Sequence, residues 1–342
     1  KNFSRKPCWL CLCVVGLIAM SLLASLQQLQ QYNYLGNFMV FGMIGLFSGL
    51  LLSSDEDIAK AVKVIDFVVI ICFLGATLFE LAQYSVAIWR TRGYAGLSYQ
   101  TISYMSALAY SLNLWSLVFA SQQHRVSALN HTIFKTIRIV LVPALLIVLA
   151  LSGGRGGVLA AGAVTLAVAI ILITSGRVSA KVGLGIIAMA IIALAAFLVW
   201  GDALLDYRGF ERIVTRGDNR SDVWEMAIHA IEGAPIIGYG FGGYGEAFNG
   251  LYPHNIILDV TLSTGLLGLV LFAFACAYLI SRVRLILNTN RAWGAFLAIL
   301  GVFSIAYLSV SGTFISFAPF WFVVAAAISY KAPICANNVK PV

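Results

Sequence analysis

The feature that most constrains this chain is a recurrence of long apolar runs. About ten stretches of the length needed to cross a hydrocarbon layer, roughly 20 residues, follow one another at 8–26, 34–52, 62–80, 99–120, 133–151, 156–175, 182–200, 255–280, 291–310 and 314–331. In lipid each backbone polar group must find its partner within the chain, so runs of this kind fold as helices. Composition agrees with that reading. Of 342 residues, 61% are hydrophobic and 11% are charged, against about 25% charged in a soluble domain. The expected fold is all-α, a polytopic transmembrane helix bundle with one long hydrophilic loop that contains short helices. Segment 1–200 carries seven spans, 201–254 is the loop, and 255–342 carries three more spans and a tail. The chain opens on Lys1 rather than Met and shows no signal-peptide pattern, so an N-terminal segment is expected to be missing.

Charge and cysteine usage exclude several classes. The net charge of +8 is accounted for by the excess of Lys and Arg on the cytoplasmic side of membrane proteins, not by nucleic acid. Cys8, Cys11, Cys13, Cys72, Cys276 and Cys335 lie in or beside apolar runs. Their spacing suits neither a zinc site nor a disulfide framework. No metal site and no cofactor are expected.

Orientation follows from the same bias. With the N-terminus inside, fifteen of the 22 Lys and Arg residues are cytoplasmic and seven are outside, as the positive-inside rule asks. All seven outside cations are Arg: Arg90, Arg92, Arg155, Arg208, Arg212, Arg216 and Arg220. The last four fall within 208–220, where the bias disfavours them. Arg presents a planar fork that matches phosphate oxygens bidentately, so the set reads as anion-binding. The competing reading pairs these residues with Asp206, Glu211, Asp218 and Asp222 on a wet loop.

Loops are where function concentrates, and 201–254 is the long one. Residues 202–220 are Arg-rich. Residues 221–232 read as a short helix, capped by Asn219 or Ser221 and ended by Gly233 and Pro235. Its stripe of Val223, Trp224, Ala227, Ile228 and Ile231 is expected to rest on the membrane surface or on the bundle. Residues 235–253 are rich in Gly and aromatics. Gly238, Gly240 and Gly243 match G-x-G-x-x-G formally, but that pattern has meaning only within a βαβ unit. The glycines read instead as tight turns beside the bundle. Tyr239, Phe241, Tyr244, Phe248 and Tyr252 suit either sugar stacking or an interfacial aromatic belt.

Two further places carry chemistry. His254 follows Pro253 at the start of the eighth span. A helix start carries a positive local potential and favours the neutral imidazole, which can accept a proton from an attacking hydroxyl. The plainer alternative is a His that caps the helix. Arg155 sits in Ser-Gly-Gly-Arg-Gly-Gly at the start of the sixth span. Bare amides, a helix N-terminus and an Arg together make an anion site; the alternative is a glycine hairpin with a snorkelling Arg.

These residues resemble a known family, the bacterial O-antigen ligases and the related O-antigen polymerases. The resemblance rests on Gly154-Arg155-Gly156-Gly157, on Arg220-x-x-x-Trp224-x-x-Ala227, on Pro235-Ile236-Ile237-Gly238-Tyr239-Gly240, and on His254-Asn255 followed after nine residues by Gly265-Leu266-Leu267-Gly268. The last is similar to a ligase signature, H-[NSQ]-x9-G-x-x-[GTY]. The resemblance spans about 150–270. It implies an inner-membrane enzyme of about twelve spans with its active site on the periplasmic face, metal-independent and inverting. The donor would be a glycan on undecaprenyl pyrophosphate. The acceptor would be a sugar hydroxyl of lipid A-core in a ligase, or another lipid-linked glycan in a polymerase. In that reading Arg155 and Arg220 hold the pyrophosphate and His254 activates or orients the acceptor hydroxyl. Arg90, Arg92, Arg216, Asn255, Trp224, Tyr239 and Tyr244 contact substrate. Membrane lipid is the other expected partner. Asp259, five residues past His254, is not expected to pair with it. A transporter is the competing class. It is disfavoured because few acids lie within the spans (Asp66, Glu80 and Asp259) and no two half-repeats with interrupted helices are seen.

Overall fold

The structure is a computed structural model and describes residues 36–52, 64–65, 67–71, 99–119, 128–152, 155–179, 181, 220–240 and 253–331. Among them the regular elements are all helical. They are α1 (Met43–Leu51, entered through a π-turn at Phe38–Gly42), α2 (Tyr99–Val118), α3 (Ala128–Ser152), α4 (Arg155–Thr174), α5 (Arg220–Gly233), α6 (Ile256–Thr289), α7 (Arg291–Leu308) and α8 (Ala318–Ser329), with a 3-10 turn at Phe314–Ser316. Among the described residues four helices are long and apolar enough to cross a membrane, Thr132–Leu149, Gly156–Thr174, Ile256–Thr289 and Arg291–Leu308, with shorter apolar helices at Phe38–Leu51 and Ala318–Ser329. The expected spans 8–26 and 182–200, and most of 62–80, lie outside the described residues.

Helix α2 stands where a span was expected, yet it is less apolar than the other four. The reason is its inward face. Ser103, Ser106, Ser111, Asn113 and Ser116 are all buried, and buried polar groups must be hydrogen-bonded. Ser111 donates to the Ala107 carbonyl at 2.7 Å. The Asn113 amide donates to the Arg138 carbonyl at 3.0 Å, and Arg138 in α3 returns a bond to Asn113 Oδ1 at 3.3 Å. Such polar contacts hold helices together in lipid, where burying apolar side chains provides no driving force between them.

Helix α7 is the centre of the bundle and touches α2, α4, α6 and α8. Trp293, Ala295, Leu297 and Phe303 on it are fully buried. Its start is set by Asn290, whose side chain accepts from Trp293 N at 3.1 Å while its own N–H closes α6 on the Ile286 carbonyl. One residue thus caps both helices of the hairpin. Helix α6 runs nine residues past the expected end at 280, because Arg282 and Arg284 continue it beyond the apolar run. The Arg282 guanidinium then donates to the carbonyls of Ala327 and Tyr330 at the end of α8, at 3.2 and 3.0 Å, a cation on the negative end of a helix.

Among the described residues the helices α2, α4 and α7 meet at both ends. At one end, Trp115 donates to the Ala292 carbonyl at 2.8 Å and Arg177 lies over the Phe119 ring. At the other end, Gly157 packs on Ser103, and Gly156 packs on Val310 and Ser311. Tyr104, Tyr307 and Phe317 form an aromatic cluster at that second end, with ring centroids 4.8 to 5.4 Å apart.

Helix α1 packs on α8 through a small-x-x-x-small face. A Cβ at Gly49 would stand 2.5 Å from the Phe322 carbonyl oxygen and 2.8 Å from Ala325 Cβ, and Gly45 meets the Ala318 backbone in the same way. Ser329 closes the contact by donating to the Gly49 carbonyl at 3.1 Å. The Gly49→Val variant is expected to lose about 1–3 kcal/mol of stability through overpacking, read as a lower thermal midpoint in detergent. Gly36→Ala, with open space around that position, serves as the control. Equal midpoints for the two would remove this face from the account of α1.

Candidate functional site

The signature segment organises one end of the bundle around α6. Asn255 is extended (φ −147°, ψ 118°) and its side-chain oxygen accepts from Ile257 N at 3.0 Å and Leu258 N at 3.4 Å. This is a helix N-cap, and it accounts physically for an Asn at that place in the motif. His254, directly before it, has φ 51° and is the positive-φ non-glycine residue among those described. That left-handed backbone is uncommon for a side-chain-bearing residue. The His254 Nδ1 atom is enclosed, while the residue as a whole is half-buried.

Helix α6, a single span by hydropathy, is interrupted at Gly265 (φ 67°, ψ −172°). In an unbroken helix the N–H groups of Leu266 and Leu267 would donate to the carbonyls of Leu262 and Ser263. The break orphans all four groups, and the segment 235–240 takes them up. Leu266 N donates to the Pro235 carbonyl at 2.8 Å and Leu267 N to the Ile236 carbonyl at 3.2 Å. Tyr239 N donates to the Leu262 carbonyl at 2.8 Å and Gly240 N to the Ser263 carbonyl at 2.9 Å. The approach is close enough to require glycine on both sides. A Cβ at Gly238 (φ 67°) would stand 2.6 Å from Gly265 N, and one at Gly265 would collide with the Ile236 carbonyl. The turns expected at Pro-Ile-Ile-Gly-Tyr-Gly are thus a backbone plug for the broken helix.

The same plug seats the loop helix. Helix α5 covers 220–233, within a residue of the expected 221–232 at each end. Its apolar stripe divides. Ala227 is fully buried with Leu262, and Val223, Ala230, Ile231, Tyr239 and Leu258 pack around them. Trp224 and Ile228 remain exposed, at 38% and 55%. Tyr239 donates its hydroxyl to the Ala230 carbonyl at 2.7 Å, and Trp224 donates its indole N–H to the Pro253 carbonyl at 2.9 Å. The polar ends of both aromatics are therefore engaged within the protein.

Asp259, set aside on sequence grounds, is almost fully buried. Its Oδ2 accepts from the Thr313 hydroxyl at 2.7 Å and from Phe314 N at 3.3 Å. It thereby ties α6 to the 309–317 connector between α7 and α8. That connector also meets α4, since a Cβ at Gly156 would stand 3.1 Å from Val310 Cγ2. Signal for Asp259 was present in the sequence, as an acid within an apolar span. Its partners, more than fifty residues away, were not.

The expected site residues fall out as follows. Arg155 is the first residue of α4 and Arg220 the first of α5. Arg220 stands one turn before Trp224 and so at the Pro253–His254 end of α5. Arg155 stands directly before Gly156, where the connector packs. The N-terminal ends of α4, α5 and α6 thus gather at one end of the bundle. Arg90, Arg92, Arg216 and Tyr244 lie outside the described residues.

Two predictions follow from the break and the cap. Gly265→Ala is expected to release 235–240 from α6, read as faster hydrogen exchange at Tyr239, Gly240, Leu266 and Leu267; protection equal to wild type would contradict the plug. Asn255→Ala should lose about 1 kcal/mol and expose the Ile257 and Leu258 amides to exchange, while Asn255→Ser should keep them protected. Equal exchange in the two variants would remove the cap from the account.

No curated protein matches the chain. A family model described as O-antigen ligase matches residues 140–273, which covers α4, α5, the 235–240 plug, His254 and the Gly265 break. Over that segment the chain is similar to the O-antigen ligase family.

Proposed function

We propose that this chain is a multi-pass inner-membrane glycosyltransferase that moves a glycan from undecaprenyl pyrophosphate to a sugar hydroxyl of lipid A-core, without a metal, on the periplasmic face. The observation that carries the reading is the gathering of three helix N-termini, headed by Arg155, Arg220 and His254-Asn255, at one end of the bundle. Each N-terminus brings the positive end of a helix dipole, and together they favour an anion. A pyrophosphate leaving group carries the charge that such a place accommodates.

The chemistry follows from the residue types. The acceptor hydroxyl oxygen bonds to the anomeric carbon as the bond from that carbon to the pyrophosphate oxygen breaks. Arg155 and Arg220 stabilise the charge that builds on the departing pyrophosphate. His254 takes the proton of the attacking hydroxyl or orients it. Arg90, Arg92 and Arg216 are further phosphate contacts in this reading, and Tyr244 is a sugar contact. Asn255 lies beside the acceptor, with its side-chain oxygen committed to the cap. The interrupted α6 is the feature a transporter would share. Here the backbone groups at the break are taken up by the chain's own loop and are not left to bind an ion.

The test is transfer by purified protein in detergent, with a lipid-linked glycan, lipid A-core and a chelator. Wild type is expected to glycosylate the core, and His254→Ala to lose about 10²-fold or more of the rate. Arg155→Ala and Arg220→Ala should each lose about 10²–10³-fold and bind donor more weakly. Longer glycans on the donor lipid with untouched core would identify a polymerase of the same family. Full activity in His254→Ala would remove that residue from the chemistry.

A further inference from the structure

The backbone around His254 is held from both sides. On the C-terminal side, Asn255 is fixed as the N-cap of α6. On the N-terminal side, the Pro253 carbonyl accepts the Trp224 indole N–H at 2.9 Å. That carbonyl belongs to the peptide unit joining Pro253 to His254. The orientation of this unit about the His254 N–Cα bond is the φ angle of His254, which stands at 51°. A side-chain-bearing residue leaves that region unless its surroundings hold it there. The anchor at Trp224 is itself rigid. Ala227, one turn further along α5, is fully buried against Leu262 of α6, and Tyr239 secures Ala230.

We propose that Trp224 is a positioning residue that sets the direction of the His254 imidazole by fixing the Pro253–His254 peptide plane. The proposal rests on the reading of His254 as the group that handles the acceptor proton. It gives Trp224 a role other than sugar stacking, although the residue is 38% exposed. The indole N–H is directed at the backbone, so its loss acts on the imidazole and not on the substrate.

A pair of substitutions separates the roles. Nε2 of a histidine lies two ring bonds from Cγ, as Nε1 of tryptophan does, so Trp224→His restores a donor at the same reach. Trp224→Phe keeps an aromatic ring and removes the donor. Trp224→Phe is expected to lower kcat by about tenfold or more with the KM for lipid-linked donor unchanged, and Trp224→His to recover most of the loss. In ¹³C-histidine-labelled protein without substrate, the ring signal assigned to His254 by its absence in His254→Gln should move in Trp224→Phe and return in Trp224→His.

A raised KM with kcat retained in both variants would mean stacking on the donor and would overturn the proposal. So would a His254 signal that stays at its wild-type position in Trp224→Phe, or equal losses of kcat in the two variants. The ring signal is read without turnover. If wild type transfers no glycan, the functional reading fails while the placement of His254 by Trp224 is still decided. If Trp224→Phe does not fold, Trp224→His decides it alone, since a wild-type His254 signal and kcat support the donor role and a displaced signal overturns it.

Discussion

Four backbone hydrogen bonds between the broken helix at Gly265 and the segment 235–240 govern the arrangement of this end of the molecule. A helix interrupted within an apolar run leaves amides and carbonyls without helix partners, each costing about 1–3 kcal/mol if buried and left unmade. Lipid offers no partner, so the chain supplies its own. Because the replacement is made by main chain, it demands close approach, and that demand fixes glycine at 238 and 265. The loop is thereby laid against α6, and α5 and its Trp224 come with it.

From that contact the placement of the functional residues follows by short steps. Trp224 reaches Pro253, Asn255 caps α6, and His254 is held between them in a backbone it would not choose alone. On the other flank, Asp259 takes hold of Thr313 and Phe314, and the same connector packs on Gly156 beside Arg155. The base candidate and the two anion-binding candidates thus belong to one assembly made of three helix starts. Much of what looks like a catalytic signature is in physical terms a set of fastenings. Asn255 is a cap, Gly238 and Gly265 are a close approach, and Tyr239 and Trp224 are ties to backbone carbonyls. The residues proposed for the chemistry are others, Arg155, Arg220 and His254.

The rest of the bundle obeys the rules of packing in lipid. Association relies on small residues and polar contacts, as at Gly45 and Gly49 against α8 and at Asn113 with Arg138. These contacts are also why α2 carries so many serines for a helix in such a chain. The buried Ser111 and Asn113 side chains find carbonyl partners within α2 and across to α3, and the polar face of α2 is turned to the bundle interior.

Hydropathy by itself determined that this chain is helical and where most of its described helices run, because span length and backbone satisfaction leave lipid-embedded segments few alternatives. The Gly233 and Pro235 stop placed the end of α5 to within a residue, and its start lies one residue before the expected 221. Residue type singled out the groups proposed for chemistry, since Arg beside glycine amides and a His at a helix start are legible locally. What only the tertiary structure decided is how these groups are brought together. The break in α6 is invisible to hydropathy because Gly265 sits in an otherwise continuous apolar run, and its plug comes from residues some thirty positions earlier. The partners of Asp259 and Trp224 are likewise remote, 54 and 29 residues away. Periodicity reports the face a residue occupies, while a hydrogen bond between distant segments depends on the path of the whole chain.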